Sequence, residues 1–173
     1  LRSLVGSEMC IRDRFISIHN MASWMLCSWG TEVIRREWAA MLTSGQKLAS
    51  YCLTEPNAGS DAASLRTSAR RDGDDYIIDG SKVFISGAGA TDMLVVMTRT
   101  GSVEDGARGI TAFAIPSDTT GVSFGKNEHK MGWNSQPTRT ITFDNVRVSA
   151  ENRLGQEGEG FKIAMLGLSL IHI

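Results

Sequence analysis

The chain has 173 residues, enough for one domain of ordinary size, and a formal net charge of −1. That balance gives neither the basic footprint of a nucleic-acid binder nor an acidic tail, and no apolar run approaches the ~20 residues that a membrane-spanning helix needs. With Cys10 set aside as part of a foreign-looking first stretch, Cys27 and Cys52 are too few and too scattered for a disulfide framework or a metal cluster, and His19 and His129 stand apart from each other and from any cysteine pair, so a metal site has little support.

Both ends read as foreign. Leu4 to Arg14 (LVGSEMCIRDR) and Ser169 to Ile173 (SLIHI) resemble translated sequencing-adapter scars. Residues 1–14 and 169–173 are therefore set aside from fold reasoning, the alternative being a genuine amphipathic start and a genuine helix end. Phe15 to Ser28, apolar and free of Gly and Pro, reads as a buried helix with Met21 and Met25 in its core. Gly30-Thr31-Glu32 ends it and starts another, with Thr31 as cap and Glu32 in the first turn. Ile34, Trp38, Met41 and Leu42 share one face of that second helix, and Gly45 stops it.

From Lys47 onward the period changes. Leu48 to Leu53 is a strand. Asp72-Gly73-Asp74-Asp75 turns into Tyr76 to Ile78, and Asp79-Gly80 is expected to turn again before Val83 to Ile85. Met93 to Met97, Ile110 to Ile115 (closed by Pro116) and Val122 to Phe124 are further strands. Arg139 to Val148 alternates, with Ile141 and Phe143 on one side and Thr140 and Thr142 on the other. Short strands at close spacing with Gly/Asp turns argue a β-barrel or sandwich, and the lack of intervening helices disfavours a Rossmann-type sheet. A helix begins again over Lys162 to Leu168.

Two clusters carry the chemistry. The first is Tyr51-Cys52-Leu53-Thr54-Glu55-Pro56-Asn57-Ala58-Gly59-Ser60-Asp61. Pro56 stiffens the turn, Gly59 permits a positive φ and close backbone approach, and Ser60 presents a hydroxyl beside an N–H. The rival reading is a capped surface turn with Asp61 accepting from the backbone. The second is Lys82-Val83-Phe84-Ile85-Ser86-Gly87-Ala88-Gly89, a strand running into a loop where side chains vanish. An aromatic at Phe84 and a hydroxyl at Ser86 suit a flat heteroaromatic guest; an edge strand ending in a Gly-rich loop is the rival. Glu55 reads as a structural acceptor rather than a base. Trp133 either walls a pocket or anchors its loop. Arg70-Arg71 beside Asp72, Asp74 and Asp75 is a solvated hairpin.

Taken in order with Met131-Gly132-Trp133-Asn134-Ser135-Gln136-Pro137-Thr138-Arg139, these clusters are similar to the acyl-CoA dehydrogenase family over nearly the whole native piece. The stretch from His19 to Arg139 is most similar to the branch acting on a short branched acyl-CoA in valine breakdown. The resemblance implies an α+β fold. Residues 15–46 would end a helical N-terminal domain, 47–154 would form a middle antiparallel β-barrel domain, and 155–168 would begin a C-terminal helical bundle that is otherwise missing. It implies FAD held along Tyr51, Cys52, Leu53, Thr54, Glu55, Pro56, Asn57, Ala58, Gly59 and Ser60, and flanked by Phe84, Ile85 and Ser86. Thr54 would serve the pyrimidine side, Ser86 would donate to N5, and Ser60 would also meet the acyl-CoA.

The family reaction is an α,β-dehydrogenation, in which a carboxylate takes the α-proton and the β-hydrogen leaves as hydride to flavin N5. The family's base lies beyond Leu168, so the piece alone is expected to be inactive, with no catalytic residue and no metal. A homotetrameric parent, an electron-transfer flavoprotein as acceptor, and a bacterial cytoplasm or mitochondrial matrix follow from the same resemblance. An acyl-CoA oxidase or flavin monooxygenase of the same fold, and a non-catalytic β-barrel interaction module, remain as alternatives.

Overall fold

Helix α1 spans Arg2–Trp29. The computed structural model describes the backbone of residues 2–169 and the side chains of 16–169, so the two stretches read as foreign lie, apart from the backbone of 2–14 and Ser169, outside the described residues. Met21, Ala22, Met25 and Leu26 recur at helical spacing and are all buried, which fixes the face that α1 turns inward. At Gly30 the chain reverses so tightly that a Cβ would lie 2.4 Å from the Leu26 carbonyl oxygen. Helix α2 (Glu32–Thr43) follows, capped by Thr31 as expected: its hydroxyl accepts from the Ile34 amide at 3.4 Å. The same hydroxyl donates to the Glu151 carbonyl at 2.7 Å and so ties the helix start to the far end of the sheet. Ile34 and Leu42 are buried, and Gly45, at φ 72°, ends the helix.

The strands are β1 (Ala49–Cys52), β2 (Ser68–Asp72), β3 (Asp75–Ser86), β4 (Met93–Arg99), β5 (Ile110–Pro116), β6 (Val122–Phe124), β7 (Thr138–Ser149) and β8 (Arg153–Leu154). They form one eight-stranded sheet in the order β6-β7-β3-β2-β4-β5-β8, with β1 added on β4. Pairing is mostly antiparallel. The exceptions are β1 with β4 and the single β2–β4 pair Ser68–Arg99, which are parallel. The chain between β1 and β4 has to accommodate β2 and β3, and it returns as a crossover rather than a hairpin.

The expected turn at Asp79-Gly80 is not a turn. Residues 75–86 form one strand whose register against β7 slips between Ile78 and Gly80. Gly80 sits at φ 145°, and a Cβ there would approach the Thr67 Cα to 2.8 Å. The glycine makes a bulge that lets a neighbouring segment pass close by. The alternation along β7 also changes phase. Ile141 and Phe143 point inward, then Asn145 at φ 49° resets the strand so that Val146 and Val148 do.

The two faces of β4 explain its unbroken apolar run. Met93, Val95 and Met97 join Met21, Met25, Leu26, Ala112 and Ala114 under the helices. Leu94 and Val96 join Tyr76, Phe113, Ile115, Ile141, Phe143, Val146 and Val148 in a second core. Tyr76 and Phe113 lie on strands separated by β2 and β4, yet their ring centroids are 4.8 Å apart. The sheet therefore curls around this second core in barrel fashion. Helix α3 (Gly160–Ser169) packs over β5 and α1, with Ile163 and Ala164 buried.

Candidate functional site

Strand β1 delivers the first cluster. Tyr51 faces the helical core, its hydroxyl is buried without a partner, and burial raises its pKa. Cys52 points the opposite way into the barrel, fully buried, and burial pushes its thiol up to about 12. Leu53 and Thr54 are half-buried as the chain leaves the sheet. Glu55 and Ala58 then exchange backbone bonds of 3.0 and 3.2 Å around Pro56 and Asn57, which are exposed.

Gly59 and Ser60 follow, both exposed. Contrary to expectation, Gly59 does not adopt a positive φ, because the reversal is completed at Pro56-Asn57. Nothing lies within 4 Å of the position its Cβ would take, so the space above it is open. The rival reading of a carboxylate cap fares no better. Asp61 precedes a short 3₁₀ turn over Ala62–Ser64 and makes no side-chain cap bond; the Ser64 amide bonds its carbonyl instead.

Glu55 is turned inward and is 7% exposed. Its Oε2 accepts from the Arg66 amide at 2.7 Å, and its Oε1 accepts from the Thr67 amide at 2.9 Å and from Lys82 Nζ at 2.7 Å. Burial alone would raise its pKa, but the Lys82 ammonium and these bonds outweigh that and hold the carboxyl below its usual range. This matches a structural acceptor, as the sequence suggested, with both carboxylate oxygens engaged.

Strand β3 delivers the second cluster. Lys82 is fully buried and also donates to the Leu53 carbonyl at 3.1 Å. The Val83 amide donates to the Thr54 carbonyl at 2.9 Å, so the two clusters are neighbours in space. The register against β7 then slips again between Lys82 and Ile85. Within that slip Phe84 takes φ 58° and stands 64% exposed. A phenylalanine in the left-handed region is uncommon, and a ring left in water is costly to a free-standing fold. Ile85 returns to the barrel core, so it can flank a guest only through its backbone. Ser86 is half-buried, and its carbonyl accepts from Ser50 Oγ at 2.8 Å. The Gly87 amide donates to the Pro137 carbonyl at 2.9 Å.

That last bond brings the loop before β7 to the same edge. Lys130 Nζ knits it by donating to the Trp133 and Gln136 carbonyls at 2.8 and 2.7 Å and to Thr138 Oγ1 at 3.0 Å. Trp133 is 56% exposed at φ 61°, so like Phe84 it stands largely in solvent. Gln136 is buried, with both amide atoms unpaired. The sequence reading missed Lys82, Ser50, Lys130 and Gln136. For Lys82 a signal existed: a lone lysine entering the apolar Val83-Phe84-Ile85 run with a carboxylate in the partner cluster. Among the described residues no group of three or more His, Cys, Asp and Glu could hold a metal.

The arrangement offers an exposed aromatic plane, half-buried hydroxyls at Thr54 and Ser86, and open space above Gly59. The family described as acyl-CoA dehydrogenase, middle domain, matches residues 50–146. The chain is 52% identical over 155 residues to the mitochondrial isobutyryl-CoA dehydrogenase of Dictyostelium discoideum, covering 90% of this chain and 37% of that protein. It is 40% identical over 171 residues to the short-chain specific acyl-CoA dehydrogenase of Megasphaera elsdenii, covering 95% of this chain and 44% of that one. The solved structure of butyryl-CoA dehydrogenase from Megasphaera elsdenii superposes with a TM-score of 0.88 at 38% identity, over 94% of this chain and 44% of that chain. The chain thus spans less than half the length of these relatives.

Proposed function

The chain belongs to the acyl-CoA dehydrogenase family, and from that premise we propose that it forms the flavin-facing part of an FAD-dependent dehydrogenase of short, branched acyl-CoA thioesters. The observation that carries this reading is Phe84, a strained and exposed aromatic two residues before half-buried Ser86 and next to Val83, whose amide is bonded to half-buried Thr54. The residues fit a flat heteroaromatic group: the Phe84 ring offers a stacking surface, and Ser86 and Thr54 offer hydroxyl donors for a polar ring edge. The mitochondrial isobutyryl-CoA dehydrogenase relative supports the branched substrate.

Bound there, FAD supplies the acceptor for the β-hydrogen of an acyl-CoA whose α-proton leaves to a base. The chain's own contribution is positioning. Phe84 fixes the plane of the ring, Ser86 orients and tunes it by a hydrogen bond, and Thr54 holds its polar edge. Ser60 reaches the thioester substrate over the exposed Gly59-Ser60 corner. Leu53, Pro56 and Asn57 shape the wall, and Tyr51, Cys52, Glu55, Ala58 and Ile85 contribute backbone, since their side chains are turned inward.

Glu55 is committed to Lys82 and two amides, so the base that takes the α-proton lies outside this stretch, and the chain alone does not turn over acyl-CoA. Residues 15–46 then close a helical domain, 47–154 form the middle domain, and 155–168 open a further helical one. The parent passes electrons to an electron-transfer flavoprotein and assembles as a homotetramer, in a bacterial cytoplasm or a mitochondrial matrix.

Titration of the purified chain with FAD, followed by flavin fluorescence, tests the reading, with saturable quenching the expected result. A chain that takes up no FAD overturns the cofactor assignment. Measurable isobutyryl-CoA dehydrogenation by the 173-residue chain with an artificial acceptor overturns the assignment of the base elsewhere.

A further inference from the structure

We propose that the buried pair Lys82–Glu55 is a positioning clasp that sets the distance between the two ligand-facing segments and holds Phe84 in its outward pose. The proposal rests on the flavin reading for its consequence, though not for its geometry.

The two side chains are 0% and 7% exposed. A buried ion pair is weak evidence of stability, because the cost of dehydrating both charges offsets much of their attraction. Two apolar side chains of similar volume would fill the same space. They would not make the bonds this pair makes. Lys82 Nζ bonds both Glu55 Oε1 and the Leu53 carbonyl, and the Glu55 carboxylate bonds the Arg66 and Thr67 amides. Three separate segments, the chain after β1, the chain before β2 and the middle of β3, are thereby fixed to one point.

That point lies at the foot of the bulge. Directly after Lys82, the Val83 amide is tied to the Thr54 carbonyl. On the far side of the bulge the Ser86 carbonyl is tied to Ser50 Oγ, which is also 2.8 Å from Thr91 Oγ1. Both feet of the bulge are thus pinned to the same length of chain, and Phe84, at φ 58°, is the apex between them. A strained residue persists only where its surroundings over-determine it. Here the over-determination comes from the clasp and the two flanking bonds. Pulling the clasp apart lets the bulge relax, so Phe84 folds back and Ser86 shifts with it.

The test compares Lys82→Met and Glu55→Gln with Ile163→Ala, a core change on α3 with no part in either ligand-facing segment, in the full 173-residue chain. Hydrogen exchange is read at the amides of residues 83–86, and FAD affinity is read by flavin fluorescence. The expected result is at least about tenfold faster exchange at 83–86 and at least about tenfold weaker FAD binding in both clasp variants. Ile163→Ala should leave both readouts within about twofold, although it lowers the melting temperature more. In the double variant Glu55→Gln/Lys82→Met the losses should fall short of the sum of the singles, as for groups acting as one unit. Should Lys82→Met fail to fold, the isosteric Glu55→Gln carries the same comparison. Exchange at 83–86 no faster than in Ile163→Ala overturns the clasp whether or not FAD binds. Absence of FAD binding by the unmodified chain overturns the flavin reading, and the exchange result still decides the clasp.

Discussion

The amide of Val83 donates to the carbonyl of Thr54 across 2.9 Å, and this bond joins two segments that sequence alone can read only as separate motifs. It crosses from β3 to the chain after β1, strands not adjacent in the sheet order. The exposed ring of Phe84 consequently follows directly on a residue bonded to the chain that leads into Gly59.

Phe84→Gly is expected to raise the apo chain's stability by about 1 kcal/mol, since glycine accepts a positive φ without the Cβ clash. The same change removes the stacking surface and should weaken FAD binding by about tenfold. Thermal melting and a fluorescence titration check the pair of effects. Loss of stability together with unchanged affinity would show that the ring is a structural prop.

Gly59→Ala and Gly160→Ala should differ in which property they change. A Cβ at Gly160 would lie 2.6 Å from the Thr111 carbonyl carbon in β5, so the helix must back away at a cost of about 1–3 kcal/mol. A Cβ at Gly59 meets nothing within 4 Å and needs no change of φ, so apo stability should stay within about 0.5 kcal/mol. On the proposed flavin reading, affinity for FAD should nevertheless fall, because that open space would be on the ligand side. Equal melting temperatures for the two variants would contradict the packing described for α3.

The two described cysteines should react in a fixed order. Cys52 is fully buried with its thiol pushed up to about 12, whereas Cys27 is only partly buried, its pKa raised by burial against the opposing pull of Arg35. Alkylation of the folded chain near pH 8, read by peptide mass spectrometry, should label Cys27 first and Cys52 only after denaturant is added. Early labelling at Cys52 would mean that β1 does not face it into the barrel.

Acid should release the clasp. Glu55 has a folded pKa below its unfolded value of about 4.3, so its contribution is complete above that value and is lost as pH falls through the folded one. Melting temperature should therefore drop more steeply below about pH 4.3 in the unmodified chain than in Glu55→Gln, with a constant difference between them above about pH 5. Parallel curves throughout would show that the carboxylate carries no linked proton.

Much of this architecture is legible in the residues themselves. Thr31 as a cap, Gly45 as a stop, the Asp72–Asp75 hairpin and the short strand Val122–Phe124 all follow from local chemistry. The misreadings share one cause. Asp79-Gly80 looks like a hairpin turn because the residues suit one, but its φ is spent on a bulge that accommodates Thr67, which is adjacent only in space. Gly59 looks like the residue that needs a positive φ, while Pro56-Asn57 completes the reversal. On sequence alone Lys82 suggests no role of its own, its partner lying in the other cluster. Each depends on contacts between distant parts of the chain, which composition and periodicity do not encode.

The parallel seating of β1 on β4 also dictates an order of assembly. Ala49–Cys52 gain their ladder only when Met93–Val96 arrive, after the intervening chain has closed a long loop at an entropic cost that local contacts do not repay. A ribosome making this protein must therefore emit residues 49–52 well before the strand that pairs with them. Strand β1 is thus set late, as a keystone dropped into an arch.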